Sequence, residues 1–109
     1  MERIRMLISI ITICRNNLQG LKLTIESVKR QKGCPEYEHI VIDGDSSDGT
    51  KEYLNLLKDE KIISISEPDK GISDAFNKGI SVSHGEYLLF LNTGTVLYRM
   101  KFWHMFKKK

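Results

Sequence analysis

Residues 43–50 (DGDSSDGT) are rich in aspartate and serine, residue types that could bind a phosphate, a cation or a nucleobase. With Lys51, the glycines and the threonine of this segment have a spacing similar to that of a phosphate-binding P-loop. In that motif, however, the lysine precedes the hydroxyl residue, whereas here Thr50 comes first. Asp45 and Asp48 would also repel a phosphate held inside the loop. The order and charge of these residues therefore argue against a P-loop.

A calcium loop is a second interpretation of the same segment. Such a loop would start at Asp43, but it needs glycine where Asp48 stands and a bidentate carboxylate where Leu54 stands. In the third interpretation, Asp43 ends a buried strand and accepts a hydrogen bond from a nucleobase or a ribose. The alternative is that all three aspartates only cap and solvate the turn, and for Asp45 and Asp48 this alternative is the favoured one.

The histidines and cysteines form no recognisable catalytic or metal-binding motif. His39, His84 and His104 fall at a strand start, at a helix end and in the C-terminal tail, so no Ser-His-Asp arrangement is evident. Cys14 and Cys34 lack the CxxC spacing of zinc and redox sites. We expect both to be free thiols.

The apolar pattern predicts four strands that alternate with three helices, and these elements must position the polar segments. The strands are predicted at residues 6–13, 39–42, 62–66 and 87–91. The three helices begin their apolar stripes at Leu18, Tyr53 and Ile72. We expect Ser47 or Asp48 to cap the second helix, and the third to end near residues 84–85.

Strands that alternate with helical crossovers predict an α/β fold, a doubly wound and mainly parallel sheet with helices on both faces. Ligands of such sheets bind beyond the carboxyl ends of the strands, where the strand order reverses. This rule selects residues 15–17, 43–48, 67–74 and 92–95.

Composition agrees with one globular domain, predicted over residues 1–98 and followed by a basic aromatic tail at 99–109. The chain has 109 residues, of which 40% are hydrophobic and 28% charged, and no apolar run approaches the roughly 20 residues that span a bilayer. Its net charge of +3 arises from five lysines and arginines in the tail. The body is therefore slightly acidic, which argues against nucleic acid as a partner.

Four segments, in this order, resemble the motifs of the family 2 inverting glycosyltransferases of bacterial surface-polysaccharide synthesis. They are residues 9–16 (SIITICRN), 41–50 (VIDGDSSDGT), 67–79 (EPDKGISDAFNKG) and 85–94 (GEYLLFLNTG). The resemblance implies a Rossmann-like GT-A fold, here only its N-terminal part. It also implies inverting transfer from a nucleotide-diphosphate sugar, with UDP as the expected nucleotide, to a glycan or lipid-linked acceptor.

The resemblance also assigns nucleotide-binding roles along the first two motifs. Thr12, Cys14 and Arg15 would line the pocket of the base, and Asp43 would contact the base itself. Arg15 stands where the family often has an aromatic residue, and its guanidinium could stack on the base instead.

The last two motifs would bind the rest of the donor. Asp74 would approach the ribose or the donor sugar, Asn77 would anchor the surrounding loop, and Asn92 would belong to the binding segment after the fourth strand. The family uses a divalent cation, Mn²⁺ or Mg²⁺, to neutralise the diphosphate. The metal-ligating aspartate of the family is replaced here by Thr95, whose hydroxyl is a weaker ligand for a hard cation.

No catalytic residue is predicted, because the family's general base lies beyond the metal motif. The 14 residues after Thr95 contain neither Asp nor Glu, so we expect the 109-residue chain to be an inactive, truncated glycosyltransferase. The alternative is a non-catalytic module that binds a nucleotide or a protein partner.

The tail mixes Phe102, Trp103 and Phe106 with lysines. One interpretation is peripheral contact with anionic lipid, and the other is packing against the sheet or against a second copy in a homodimer. The N-terminus has no cleavable leader pattern, which favours a cytoplasmic location, including the inner face of the membrane.

Overall fold

Four parallel strands with helices on both faces make up the fold. The computed structural model describes residues 7–31 and 36–96. Along these residues the elements are β1 (Leu7–Cys14), α1 (Leu18–Lys29), β2 (Glu36–Asp43), α2 (Thr50–Leu56), β3 (Ile62–Ser66), α3 (Ile72–Ser81) and β4 (Tyr87–Phe90). The predicted α/β class is confirmed.

The strand order is β3-β2-β1-β4, and every neighbouring pair is parallel. The strands β1, β2 and β3 follow one another toward one side of the sheet, and β4 pairs with β1 on the opposite side. Cys14, Asp43 and Ser66 are aligned in register at the carboxyl ends of their strands. The strand order therefore reverses between β1 and β4, and the segments that follow the strands meet at one edge.

Alternation along β1 divides the core into two layers. Ile8 and Ile10 face one side of the sheet, which α1 covers with Val28, while Ile11 faces the other side and packs with Ala75 of α3. Successive side chains of a strand point to opposite faces, so an apolar strand such as β1 needs cover on both.

Helix α3 lies unusually close to the sheet at Gly79. A β-carbon added there would stand 2.7 Å from Cγ2 of Ile11. The missing side chain lets the helix approach the strand, and this approach determines how far α3 stands above β1.

A polar network closes the amino-terminal edge of the sheet, opposite the ligand edge. Ser9 Oγ and the amide of His84 each donate to Glu38 Oε2 at 2.6 Å, and His84 Nδ1 lies 3.0 Å from Oε1. Burial alone would raise the pKa of Glu38, but the hydrogen bond from Ser9 and those from His84 hold it below its usual value. The charged Glu38 side chain of β2 therefore connects this strand to β1 and to the segment before β4 through hydrogen bonds.

Several element ends differ from the sequence prediction. Helix α3 ends at Ser81, so His84 serves the polar network just described and is not part of a helix end. Helix α2 has Gly49 at its N-cap, and Asp48 instead accepts the Thr50 amide at 3.2 Å. Cys14 is a free, buried thiol, whereas Cys34 and the tail lie outside the described residues.

No helix in the described ranges has the length and hydropathy needed to cross a membrane.

Candidate functional site

An open cavity of about 450 Å³ lies where the strand order reverses. Its walls come from the segments after β1, β3 and β4 and from the first turns of α3. The lining residues are Ile13, Cys14, Arg15, Asn17, Asp69, Gly71, Ile72, Ala75, Asn92 and Thr93. The cavity therefore occupies the place where doubly wound sheets bind their ligands.

Three of the predicted site residues, Cys14, Arg15 and Asn92, line this cavity. Burial and, to a smaller extent, the nearby Asp43 carboxylate raise the pKa of the Cys14 thiol to about 12. The thiol is thus protonated and contributes to an inert part of the wall. Arg15 is exposed and pairs with no carboxylate of the described residues, so its guanidinium is free to meet a ligand.

The loops after β1 and β2 are joined by side chains of Asn16 and Asp48. The backbone amide of Asn16 donates to Ser46 Oγ at 2.7 Å, and its side-chain Oδ1 accepts the backbone amide of Ser47 at 2.8 Å. Asp48 Oδ2 accepts the Leu18 amide at 3.0 Å. Asn16 has a φ of 51°, in the left-handed region that asparagine tolerates better than most residues. These bonds orient the start of α1 and, with it, the wall that carries Arg15.

Asp43 lies beneath these joined loops and is fully buried. Its carboxylate accepts hydrogen bonds from the hydroxyl and the amide of Ser46, and Cys14 Sγ lies 3.6 Å from its Oδ1. The side chain therefore holds the loop from within and does not line the cavity.

Thr12 is also fully buried, on the face of the sheet that α1 and α2 cover. Its Oγ1 lies 2.8 Å from Nε2 of His39 on the adjacent strand. Thr12 is not among the residues that line the cavity, since its hydroxyl is directed at the buried imidazole.

Asp74 and Asn77 both lie on α3 outside the cavity lining. Asp74 Oδ2 accepts the Lys70 amide at 2.9 Å and lies 3.7 Å from Nζ of Lys78. Asn77 is exposed. The contacts that anchor the loop before α3 are made by Lys78, the residue after Asn77.

The segment after β4 is tied to α1. The Thr95 carbonyl accepts a hydrogen bond from Thr24 Oγ1 at 2.9 Å, and the Gly94 amide donates to the same hydroxyl at 2.9 Å. Thr93 Oγ1 donates to the Ile13 carbonyl at 2.5 Å. These three contacts position the wall that carries Asn92.

The oxygens near Thr95 do not form the donor set that a divalent cation needs. Asn92, Thr93 and Thr95 offer only neutral oxygens, whereas Mn²⁺ and Mg²⁺ sites are normally built on carboxylates. Within residues 7–31 and 36–96, no three His, Cys, Asp or Glu side chains are grouped so that they could hold a metal ion. The described residues therefore do not fit the predicted cation.

Sequence reasoning did not single out Asn17, Asp69 or Thr93, which also line the cavity. Asp69 and Thr93 do lie in segments that the carboxyl-end rule selected, and Asn17 ends a third. Their position in those segments was the only indication in the sequence, since no motif distinguishes these three residues from their neighbours.

Comparison with known proteins relates this fold to one family. The profile of the family described as Glycosyl transferase family 2 matches residues 9–102. An uncharacterized glycosyltransferase of Mycobacterium tuberculosis is 43% identical over 86 residues, which are 79% of this chain and 33% of that protein. TuaG of Bacillus subtilis, named for teichuronic acid biosynthesis, is 33% identical over 90 residues, which are 80% of this chain and 35% of TuaG. The chain thus spans about a third of the length of the curated relatives it matches.

The solved structures that share the fold include one of TarS and one of PcManGT. Staphylococcus aureus TarS 1-349 in complex with UDP-GlcNAc has a TM-score of 0.72 and 21% identity, over 82% of this chain and 27% of that one. The mannosyltransferase PcManGT of Pyrobaculum calidifontis, in complex with GDP-Man and Mn²⁺, has a TM-score of 0.71 and 18% identity, over 82% and 28%.

Proposed function

Because this chain belongs to glycosyl transferase family 2, we propose that its cavity binds the nucleotide part of a nucleotide-diphosphate sugar, with UDP as the nucleotide. The observation that carries the proposal is the position of the cavity at the reversal of strand order between β1 and β4. The UDP-GlcNAc complex of TarS, whose fold this chain shares, supports the choice of nucleotide.

The cavity walls have the chemistry that a nucleotide requires. Ile13, Cys14 and Ala75 supply apolar surface for a base, and the exposed guanidinium of Arg15 can stack on the base or pair with a phosphate. Asn92 offers an amide to the hydroxyls of a ribose or a sugar. In this proposal these residues contact the ligand directly.

Three of the remaining predicted residues act indirectly in the same proposal. Asp43 holds the loop after β2 through Ser46, and Thr12 stabilises the strands below the cavity through His39. Asp74 holds the loop before α3 through its bond to the Lys70 amide. Each of these bonds keeps a part of the site in place without touching the nucleotide.

The biological reaction that we propose is inverting transfer of the sugar to a glycan or lipid-linked acceptor in polysaccharide synthesis at the cytoplasmic face of the membrane. The 109-residue chain by itself is expected to bind the donor but not to transfer the sugar, since no acidic residue follows Glu86. Transfer needs a carboxylate that removes a proton from the attacking hydroxyl.

Calorimetric titration with UDP, with and without Mn²⁺, tests the proposal. We expect binding by the wild type and roughly a tenfold loss of affinity in Arg15→Ala, since removing one charged contact costs about 1.5 kcal/mol or more. Arg30→Ala is the matched control, because Arg30 is an exposed arginine at the other end of α1. Mn²⁺ should leave the affinity unchanged, because the oxygens around Thr95 are neutral.

Three outcomes would count against parts of this proposal. A wild type that binds no UDP would refute UDP as the ligand of this cavity and favour a protein-interaction module. Equal losses in Arg15→Ala and Arg30→Ala would remove Arg15 from the site. A marked gain of affinity with Mn²⁺ would show that residues other than Thr95 provide a metal site.

A further inference from the structure

The loop between β3 and α3 forms a wall of the cavity but has few bonds of its own. Asp69 and Gly71 of this loop line the cavity, as does Ile72 at the start of α3. Two local bonds stabilise it, from the Lys70 amide to Asp74 at 2.9 Å and from the Gly71 amide to Asp69 at 3.0 Å. Gly71 has a φ of 121°, which only glycine adopts readily. The position of this wall therefore depends on contacts from outside the loop.

Lys78, in the last turns of α3, supplies such contacts. Its Nζ donates to the Pro68 carbonyl at 2.7 Å, lies 2.9 Å from the Glu67 carboxylate and lies 3.7 Å from that of Asp74. Long side chains on a helix point back toward its N-terminus, so a lysine at this position reaches the loop that precedes the helix. The side chain is only 21% exposed. One ammonium group thus joins both ends of the loop.

The charge of Lys78 also matters to the wall. Residues 67–74 carry three carboxylates and a single lysine, next to a cavity proposed to hold a negatively charged diphosphate. Hydrogen bonding to Glu67 and the nearby carboxylates raise the pKa of Lys78 above its usual value, so the ammonium stays charged at neutral pH. It offsets part of a repulsion that would otherwise act on the ligand.

We infer that Lys78 is a positioning residue for the nucleotide site: by holding Glu67, Pro68 and Asp74 together, it keeps the Asp69–Ile72 wall in the geometry that binds the ligand. This inference rests on the proposed function. An isolated ion pair on the surface contributes little, but the partly buried Lys78 combines two carboxylates with a backbone carbonyl. Its effect is therefore local order in the loop, and only through that order does it affect binding.

The test compares Lys78→Met, which keeps the apolar stem, with Lys78→Arg, which keeps the charge. Lys51→Met is the matched control, because Lys51 pairs with Asp45 in a loop that does not line the cavity. Amide hydrogen exchange is measured by mass spectrometry on the ligand-free 109-residue chain, and UDP affinity is measured by calorimetry. Thermal unfolding confirms that each variant is folded.

We expect Lys78→Met to speed exchange in residues 67–74 alone and to weaken UDP binding about tenfold, or about 1.4 kcal/mol. Lys78→Arg should restore both, and Lys51→Met should change neither. Faster exchange spread over the whole sheet, no rescue by arginine, or an equal effect of Lys51→Met would overturn the inference. Unchanged UDP affinity in a Lys78→Met variant whose residues 67–74 exchange faster would also overturn the inference.

The failure of the proposed function gives a different pattern. If the wild type binds no UDP, the proposed UDP site itself is refuted, and with it the role of Lys78 in UDP binding. Wild-type binding together with an unaffected Lys78→Met variant refutes only the role of Lys78.

Discussion

Acid should destabilise this fold through one buried histidine. His39 on β2 is 1% exposed, with Nε2 located 2.8 Å from Thr12 Oγ1 and the backbone amide bonded to the Lys61 carbonyl at 2.7 Å. Burial lowers the pKa of His39 from 6.5 to about 4, against a smaller opposing effect of Asp59. The imidazole is therefore neutral in the folded protein at neutral pH.

The size of the effect follows from this difference in pKa. Between pH 6.5 and about 4 the unfolded chain binds a proton at His39 that the folded chain does not. The contribution of the neutral His39 to the free energy of unfolding is therefore fully present above pH 6.5 and is lost as the pH falls toward 4. Each pH unit in this range costs about 1.4 kcal/mol. Between pH 6.5 and 5 the free energy of unfolding should decrease by about 2 kcal/mol, a large part of the roughly 5–15 kcal/mol of a typical domain.

Urea denaturation from pH 7.5 to 5, on the wild type and on His39→Gln, measures this decrease. Glutamine keeps an amide that can bond to Thr12, but it does not titrate. The variant should be less stable at pH 7.5 because its packing is poorer, and its free energy of unfolding relative to that of the wild type should rise by about 2 kcal/mol as the pH falls. If the free energy of unfolding changed equally with pH in the two proteins, the argument would be refuted, because all other titratable groups are the same in both.

Two further substitutions test how the core supports the site. Thr12→Val should leave His39 Nε2 without its hydroxyl partner and lower the free energy of unfolding, measured in urea, by about 1–3 kcal/mol. UDP affinity should not change. A loss of UDP affinity without a loss of stability would show that Thr12 contacts the ligand. Gly85→Ala would place a β-carbon 2.6 Å from Ser9 Oγ and 2.7 Å from its backbone nitrogen, so overpacking should cost about 1–3 kcal/mol and lower the melting temperature by several degrees. A melting temperature equal to that of the wild type would contradict the packing of this edge.

Much of the candidate site could be located from local patterns alone. The third strand, residues 62–66, was predicted with the bounds that the structure shows. The rule that ligands bind beyond the carboxyl ends of parallel strands selected segments that contain most of the cavity lining. Such predictions succeed because strand and helix periodicity, and the polar character of the segments between them, are properties of neighbouring residues.

The individual roles could not be predicted in the same way. Asp43 and Arg15 both follow or end a strand at the same edge, yet Asp43 turns inward to Ser46 while Arg15 stays exposed at the cavity. The direction of each side chain depends on the backbone path of a turn and on partners that periodicity does not identify. His84 is an example, because its partner Glu38 is 46 positions away in the sequence.

The class of fold, the succession of elements and the four motifs that relate the chain to family 2 can be read directly from the sequence. The folded chain was needed to show that β4 lies beside β1, that Thr12 faces a buried histidine, and that Lys78 holds the loop before α3. The physical reason is the range of the interactions. Element formation follows from residues a few positions apart, whereas strand order and side-chain partners are settled by contacts between segments that are distant in the chain.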